Sequence, residues 1–92
     1  MDVPEGLNNH QRDTLAHIFR HPSGSNIEWR SVLSLLDAIA TVNETHKGNV
    51  RVTLGDETET FDPTHEKDID ADQLANLRRF LRTAGYGPEG QL

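Results

Sequence analysis

Cysteine is absent from this sequence, and aromatic residues make up only 5% of its 92 residues. Without cysteine, the chain has neither a disulfide framework nor a thiol nucleophile, and a structural zinc site is not expected, because such sites usually contain cysteine ligands. The few aromatic rings leave little surface on which the bases of single-stranded nucleic acid could stack. No apolar run reaches the roughly 18–20 residues of a membrane-spanning helix, and no secretory segment can be read. The sequence therefore predicts a cytoplasmic protein without a membrane span.

Basic residues are also scarce, since nine Lys and Arg stand against fifteen Asp and Glu. The net charge of −6 argues against a strongly basic nucleic-acid clamp. Residues 56–72 hold eight acids and one base, a local charge of −7, whereas the other residues hold eight bases and seven acids and sum to +1. This acidic segment is interpreted either as a solvated edge strand and loop or as a surface for a cationic partner.

Hydrophobic spacing predicts two helices in the first half of the chain. An apolar i, i+3, i+4 pattern behind an asparagine predicts a first helix over residues 9–20. Ser25 and Glu28 have the spacing of a capping box, which predicts that a second helix begins there and continues to about Ile39. Trp29 lies in the first turn of this second helix, where we interpret it as a packing anchor.

After the second helix, the apolar pattern changes to the two-residue alternation of strands. At the end of the chain, Asp70 and Gln73 have capping-box spacing before an apolar stripe, and Gly85 follows it, which predicts a third helix. One domain is expected at this length. Its predicted order is α-α-β-β-β-α, an α+β fold with helices on one face of a three-stranded antiparallel sheet. The predicted strands are 41–45, 50–54 and 57–61.

Four short segments carry a resemblance to a known family between about Trp29 and Tyr86. They are the apolar helix end at 36–39, Gly48-Asn49-Val50 at a turn, Pro63-Thr64-His65 after a strand, and Ala84-Gly85-Tyr86 at the last helix end. In order and spacing, these segments resemble the HicA-type (YcfA-like) mRNA interferase toxins. The resemblance implies the double-stranded-RNA-binding-domain fold, α-β-β-β-α, to which this chain adds an N-terminal helix.

The resemblance divides the chain into three parts. Residues 1–22 form an N-terminal extension with the additional helix, residues 23–86 form the HicA-like domain, and residues 87–92 form a disordered tail. We expect the additional helix to cover a surface of the domain or to build a dimer. The implied partners are a HicB-like antitoxin or a second copy of this chain, and RNA with weak affinity, but no membrane and no small-molecule cofactor.

The chain departs from the family at the catalytic position. The family pattern places a catalytic histidine two residues after the glycine, and Val50 stands two residues after Gly48. Because valine can neither accept nor donate a proton, we predict a non-catalytic domain that acts through protein contacts and weak RNA contacts. The alternatives are an active mRNA interferase toxin of a toxin–antitoxin pair that uses a displaced histidine, His46 or His65, and a structural module that dimerises through its N-terminal helix and acidic strand edge.

Basic and imidazole side chains give the candidate RNA contacts. The alternatives are an exposed polar loop, a solvated helical face, and arginines paired with the acidic segment of the same or a neighbouring chain. His17 and His21 have a metal-chelating helical spacing, but Pro22 disturbs that turn and no metal site is predicted. No Ser-His-Asp arrangement can be read from the sequence. The candidate RNA-binding residues are Lys47, Arg51, His65, Lys67, Arg78, Arg79 and Arg82.

Overall fold

The described part of the chain folds into three helices, a three-stranded antiparallel sheet and a short hairpin. A computed structural model describes residues 7–20, 27–45, 47–63, 67–88 and 90–91. The α+β prediction is confirmed for these residues. In chain order, the elements are α1 (Asn9–Arg20), α2 (Trp29–Ile39), β1 (Thr41–Glu44), β2 (Val50–Leu54), β3 (Glu57–Phe61), α3 (Ala71–Thr83), β4 (Tyr86–Gly87) and β5 (Gly90–Gln91).

The sheet has the order β1-β2-β3, as the sequence predicts. One face is polar, and the other combines the buried apolar residues with Glu44, Glu57 and Glu59. Gly55 adopts a φ of 63°, which allows the two-residue turn between β2 and β3. Val50, Val52 and Phe61 are buried on the inner face. Alternate residues of a strand point to opposite faces of the sheet. The residues that point to the outer face are all polar. These outer residues are Thr41, Asn43, Arg51, Thr53, Thr58 and Thr60.

The helices share one core with the inner face of the sheet. α2 packs against β1 and α3 against β3, while α1 lies against α2, α3 and the β4–β5 hairpin. Leu15 and Ile18 of α1 are buried in the same cluster as Leu36, Leu77 and Val52. The division predicted at residue 22 therefore separates two helices of one core. Since its apolar stripe is buried within its own chain, α1 does not offer that stripe to a second copy.

The start of α2 differs from the prediction, because the helix begins at Trp29. Glu28 occupies the N-cap position and makes no side-chain cap hydrogen bond, while Ser25 lies outside the described residues. The segment before the helix is extended and pairs with the segment before α3. The Trp29 N–H donates to the carbonyl of Lys67 at 2.9 Å, so a distant backbone carbonyl, rather than a serine hydroxyl, satisfies this unpaired donor of the first turn.

The end of the chain also differs from the prediction of a disordered tail over 87–92. Gly85 ends α3 with a φ of 97°, in agreement with the predicted helix end. Beyond it, Tyr86 pairs with Gln91 and Gly87 pairs with Gly90. Tyr86 is buried in the core, and burial of its ring holds β4 against α1. The described residues of this segment are therefore part of the folded domain.

Within the described residues, no helix is long and apolar enough to cross a membrane.

The shared core predicts that shortening an α1 side chain destabilises the whole domain. We expect Ile18→Ala to lower the free energy of unfolding by about 2–4 kcal/mol, because its side chain is fully buried and the substitution leaves a cavity. Chemical denaturation measures this loss, and Arg12→Ala on the exposed side of α1 is the control, expected within about 0.5 kcal/mol of the parent. Equal stability of the two variants would mean that α1 is a detachable extension.

Candidate functional site

Val50, at which the resemblance would expect a catalytic histidine, lies inside the core. Val50 is the first residue of β2 and is only 3% exposed. It pairs with Glu44 of β1 and Phe61 of β3, on the sheet face that the helices cover. No group that transfers protons stands at this position, and solvent does not reach it. The displaced candidates His46 and His65 lie outside the described residues and stay predictions.

Three of the predicted RNA-binding cations lie on separate elements. Lys47 is exposed in the turn between β1 and β2, and Arg51 is exposed on the outer face of the sheet. Lys67 precedes α3, and its Nζ lies 3.5 Å from Oε2 of Glu28, with a side chain that is 79% exposed. An exposed pair of this kind contributes little to stability.

Two of the three arginines of α3 contact α1. Arg78 donates from Nε to the carbonyl oxygen of Ile18 at 3.1 Å, and the Arg82 guanidinium lies 5.8 Å from the centre of the Phe19 ring. The Ile18 carbonyl belongs to the last turn of α1, where carbonyls lack helical partners and the helix dipole attracts cations. Arg78 and Arg82 therefore hold the end of α1, rather than the acidic segment, whereas Arg79 is exposed.

Carboxylates line β3 and the start of α3, which run side by side in opposite directions. The side chain of Asp70 accepts a hydrogen bond from the Gln73 N–H at 2.8 Å, as predicted for the helix cap, and Asp72 lies in the first turn. Negative charge here stabilises the helix but repels phosphate. We call this region the acidic surface. Its described carboxylates are those of Asp56, Glu57, Glu59, Asp62, Asp68, Asp70 and Asp72.

The side chain of Gln73 joins α3 to the end of β3. Its Oε1 accepts from the Asp62 N–H at 2.8 Å, and its Nε2 donates to the Asp62 carbonyl at 3.0 Å. In a capping box, this side chain would instead return to the N–H of Asp70. The amide of Gln73 thus takes the place that the backbone of a neighbouring strand would occupy. The residue spacing predicts the cap itself but contains no signal for this second contact.

A groove between α1 and α2 holds a histidine–serine pair that no spacing in the sequence indicates. Nε2 of His10 lies 3.0 Å from Oγ of Ser31, although the two residues are 21 positions apart. Beside it, the buried Gln11 donates to both the carbonyl and the hydroxyl oxygen of Ser34. The groove has a volume of about 290 Å³ and is lined by His10, Asp13, Thr14, His17, Ile27, Glu28 and Ser31.

The chemistry of this groove is limited. A serine nucleophile needs a base that a third group orients, and no carboxylate of the described residues hydrogen-bonds to the His10 ring. His21, the predicted companion of His17, lies outside the described residues, and within the described ranges no three His, Asp or Glu side chains are grouped to hold a metal. The His10–Ser31 contact joins α1 to α2.

Comparisons of the chain with protein-family models, with curated proteins and with solved structures found no match.

The contact between Arg78 and α1 predicts different effects for two neighbouring arginines. We expect Arg78→Ala to lower the free energy of unfolding by about 1–3 kcal/mol, because it leaves the Ile18 carbonyl without its charged donor. Arg79→Ala removes the same charge from the exposed side of α3 and is expected to change stability by less than about 0.5 kcal/mol. Chemical denaturation of both variants tests this, and an equal loss in both would contradict the structural role of Arg78.

Proposed function

We propose that this chain is a non-catalytic, HicA-like domain that binds a protein partner through its acidic surface. The order α2-β1-β2-β3-α3 is compatible with the double-stranded-RNA-binding-like arrangement that the resemblance implies, because one helix precedes and one follows three antiparallel strands. Both of these helices pack on the sheet, and α1 packs on both of them in turn. The proposal treats α1 as an addition that completes the core of such a domain.

Two observations support the proposal that the domain is non-catalytic. The family's catalytic position holds Val50, which is buried and has no titratable group. The histidine–serine pair of His10 and Ser31 lacks an orienting carboxylate among the described residues. General acid–base cleavage requires a base within hydrogen-bond reach of the proton that it removes.

The observation that carries the choice of a protein partner is the acidic surface. RNA binding depends on cations that neutralise phosphates, yet Arg78 and Arg82 already contact α1. Carboxylates at the start of α3 would repel an RNA backbone from a helix end that otherwise attracts phosphate. The same carboxylates attract a cationic protein surface and speed its association. Weak RNA contacts would depend on the exposed cations among the candidate RNA-binding residues, which are Lys47, Arg51, Lys67, Arg79 and Arg82.

The proposed partner is a different protein rather than a second copy of this chain. A HicB-like antitoxin is the partner class that the resemblance implies. Two copies would bring two acidic surfaces together, and each chain has a net charge of −6. Like charges in direct opposition destabilise an interface. Self-association through this surface is therefore disfavoured.

This proposal predicts that the purified protein leaves RNA intact and binds it poorly. Incubation with single-stranded and double-stranded RNA should yield no cleavage products on a denaturing gel. Binding to a fluorescent RNA duplex at physiological salt should be weaker than about 10⁻⁴ M, the weak end of non-specific nucleic-acid binding. Replacing Asp70 and Asp72 by Asn should strengthen this weak RNA binding, because the two substitutions remove repulsion.

The control variants for this experiment replace the two displaced histidines, His46 and His65, by alanine. If RNA is cleaved and the cleavage disappears in His46→Ala or His65→Ala, the protein is an active ribonuclease and the proposal is overturned. Tight, salt-sensitive RNA binding that falls in a variant with both Lys47→Ala and Arg51→Ala would favour an RNA-binding domain instead.

A further inference from the structure

β3 is an edge strand, and the part of the chain that the structure describes supplies no partner for its outward backbone groups in Thr58 and Thr60. The two-residue turn closes on the pair Leu54–Glu57, so this pair and every second pair after it exchange backbone hydrogen bonds with β2. Thr58 and Thr60 lie between these pairs and therefore point their N–H and C=O groups away from β2. No hydrogen bond to these groups is formed by any residue of the described chain.

The next outward position shows how this edge is satisfied. Alternation continues from Thr58 and Thr60 to Asp62, whose N–H and C=O both bond to the side-chain amide of Gln73. A primary amide with one acceptor and one donor imitates the backbone of an adjacent strand. The edge is therefore capped at Asp62 and open at Thr58 and Thr60, which together offer two donors and two acceptors.

The charges along the open edge determine which strand can occupy it. Asp56 is exposed at one end, and Glu57 and Glu59 are partly exposed on the strand itself, while β3 contains no basic residue. A second copy of β3 would oppose carboxylates with carboxylates, which destabilises cross-strand pairs. A strand with Lys or Arg opposite Glu57 and Glu59 forms favourable pairs instead. The complementary occupant is therefore cationic and extended.

We propose that the protein partner supplies an extended, lysine- or arginine-rich segment that pairs antiparallel with β3 at Thr58 and Thr60 and adds a fourth strand to the sheet. This inference rests on the proposed function, since it names the partner chemistry of the same acidic surface. Backbone hydrogen bonds supply part of the affinity, and alternate side chains supply the selection. The basic residues of the added strand lie opposite Glu57 and Glu59, and its other residues lie beside the threonines.

The probe for this proposal is a synthetic fluorescent peptide in which lysine alternates with valine or threonine. Two methylated versions of the peptide have the same charge and the same number of N-methyl groups. One is methylated at the valine and threonine amides, which face Thr58 and Thr60 in the proposed register, and the other at the lysine amides, which face solvent. Fluorescence anisotropy measures the affinity of each peptide for the complete chain.

The expected result is an unequal effect of the two methylation patterns. Blocking the inward amides should weaken binding by about three- to tenfold for each lost hydrogen bond, whereas blocking the outward amides should leave the affinity within about twofold of the parent. Amide hydrogen exchange of the protein should slow at Thr58 and Thr60 when the unmodified peptide is added. Glu59, whose amide already faces β2, should not change.

Variants of the protein supply a second, independent measurement. Thr58→Pro removes an outward N–H without breaking the ladder to β2, a position at which proline is tolerated on edge strands, and it should weaken peptide binding. Thr58→Val keeps the N–H and should bind as the parent does. If Thr58→Pro does not fold, the methylated peptides decide the question on the unmodified protein.

The outcomes separate strand addition from the proposed function. If both methylated peptides bind as tightly as the parent peptide, strand addition is overturned, while binding of cationic protein segments to the acidic surface stands. If none of the lysine peptides binds, strand addition is overturned together with the acidic surface as a binding site. Cleavage of RNA would overturn the proposed function alone, whatever the peptides do.

Discussion

The docking of α1 onto α2 and α3 is the contact on which the rest of the domain depends. A chain of this size buries only roughly 60–65% of its unfolded surface, so Leu15 and Ile18 are a substantial part of its core. The same contact engages Arg78 through the Ile18 carbonyl and Arg82 through the Phe19 ring. Because these two arginines contact α1, they contribute to folding, although the Arg82 side chain stays exposed at the surface.

The Gln73 side chain connects this packed core to the open edge of the sheet. By bonding both backbone groups of Asp62, it fixes the end of β3 to the first turn of α3. Asp70 caps the same turn by accepting a hydrogen bond from the Gln73 N–H. The backbone of Gln73 therefore takes part in the helix cap, while its side chain holds Asp62. The two hydrogen bonds between Gln73 and Asp62 end the accessible edge of β3 at Asp62, which leaves the outward backbone groups of Thr58 and Thr60 as a short site.

The sequence predicts the elements well where local pattern determines them and poorly where distant contacts do. Alternation of apolar residues predicts β2 and β3 as they are found, and an i, i+3, i+4 stripe predicts α1. The start of α2 is missed because Trp29 bonds to Lys67, far along the chain. The role of Arg78 is missed for the same reason, since nothing in the sequence of α3 reveals that an α1 carbonyl lies beside it. Candidate cations can be read from a sequence, but their partners depend on the fold.

The acidic surface acts on two competing equilibria at once. Opposite-charge pairs across neighbouring strands contribute about 0.2–1 kcal/mol each, and like-charge pairs oppose pairing. Glu57 and Glu59 therefore disfavour the pairing of two β3 edges and favour a basic strand at the same edge. Specificity for the basic strand is the difference between the free energy of pairing with that strand and the free energy of pairing with a second β3. Each carboxylate increases this difference in two ways, because it favours the first pairing and opposes the second. Protection of an exposed edge and selection of a cationic partner are thus two consequences of one charge distribution.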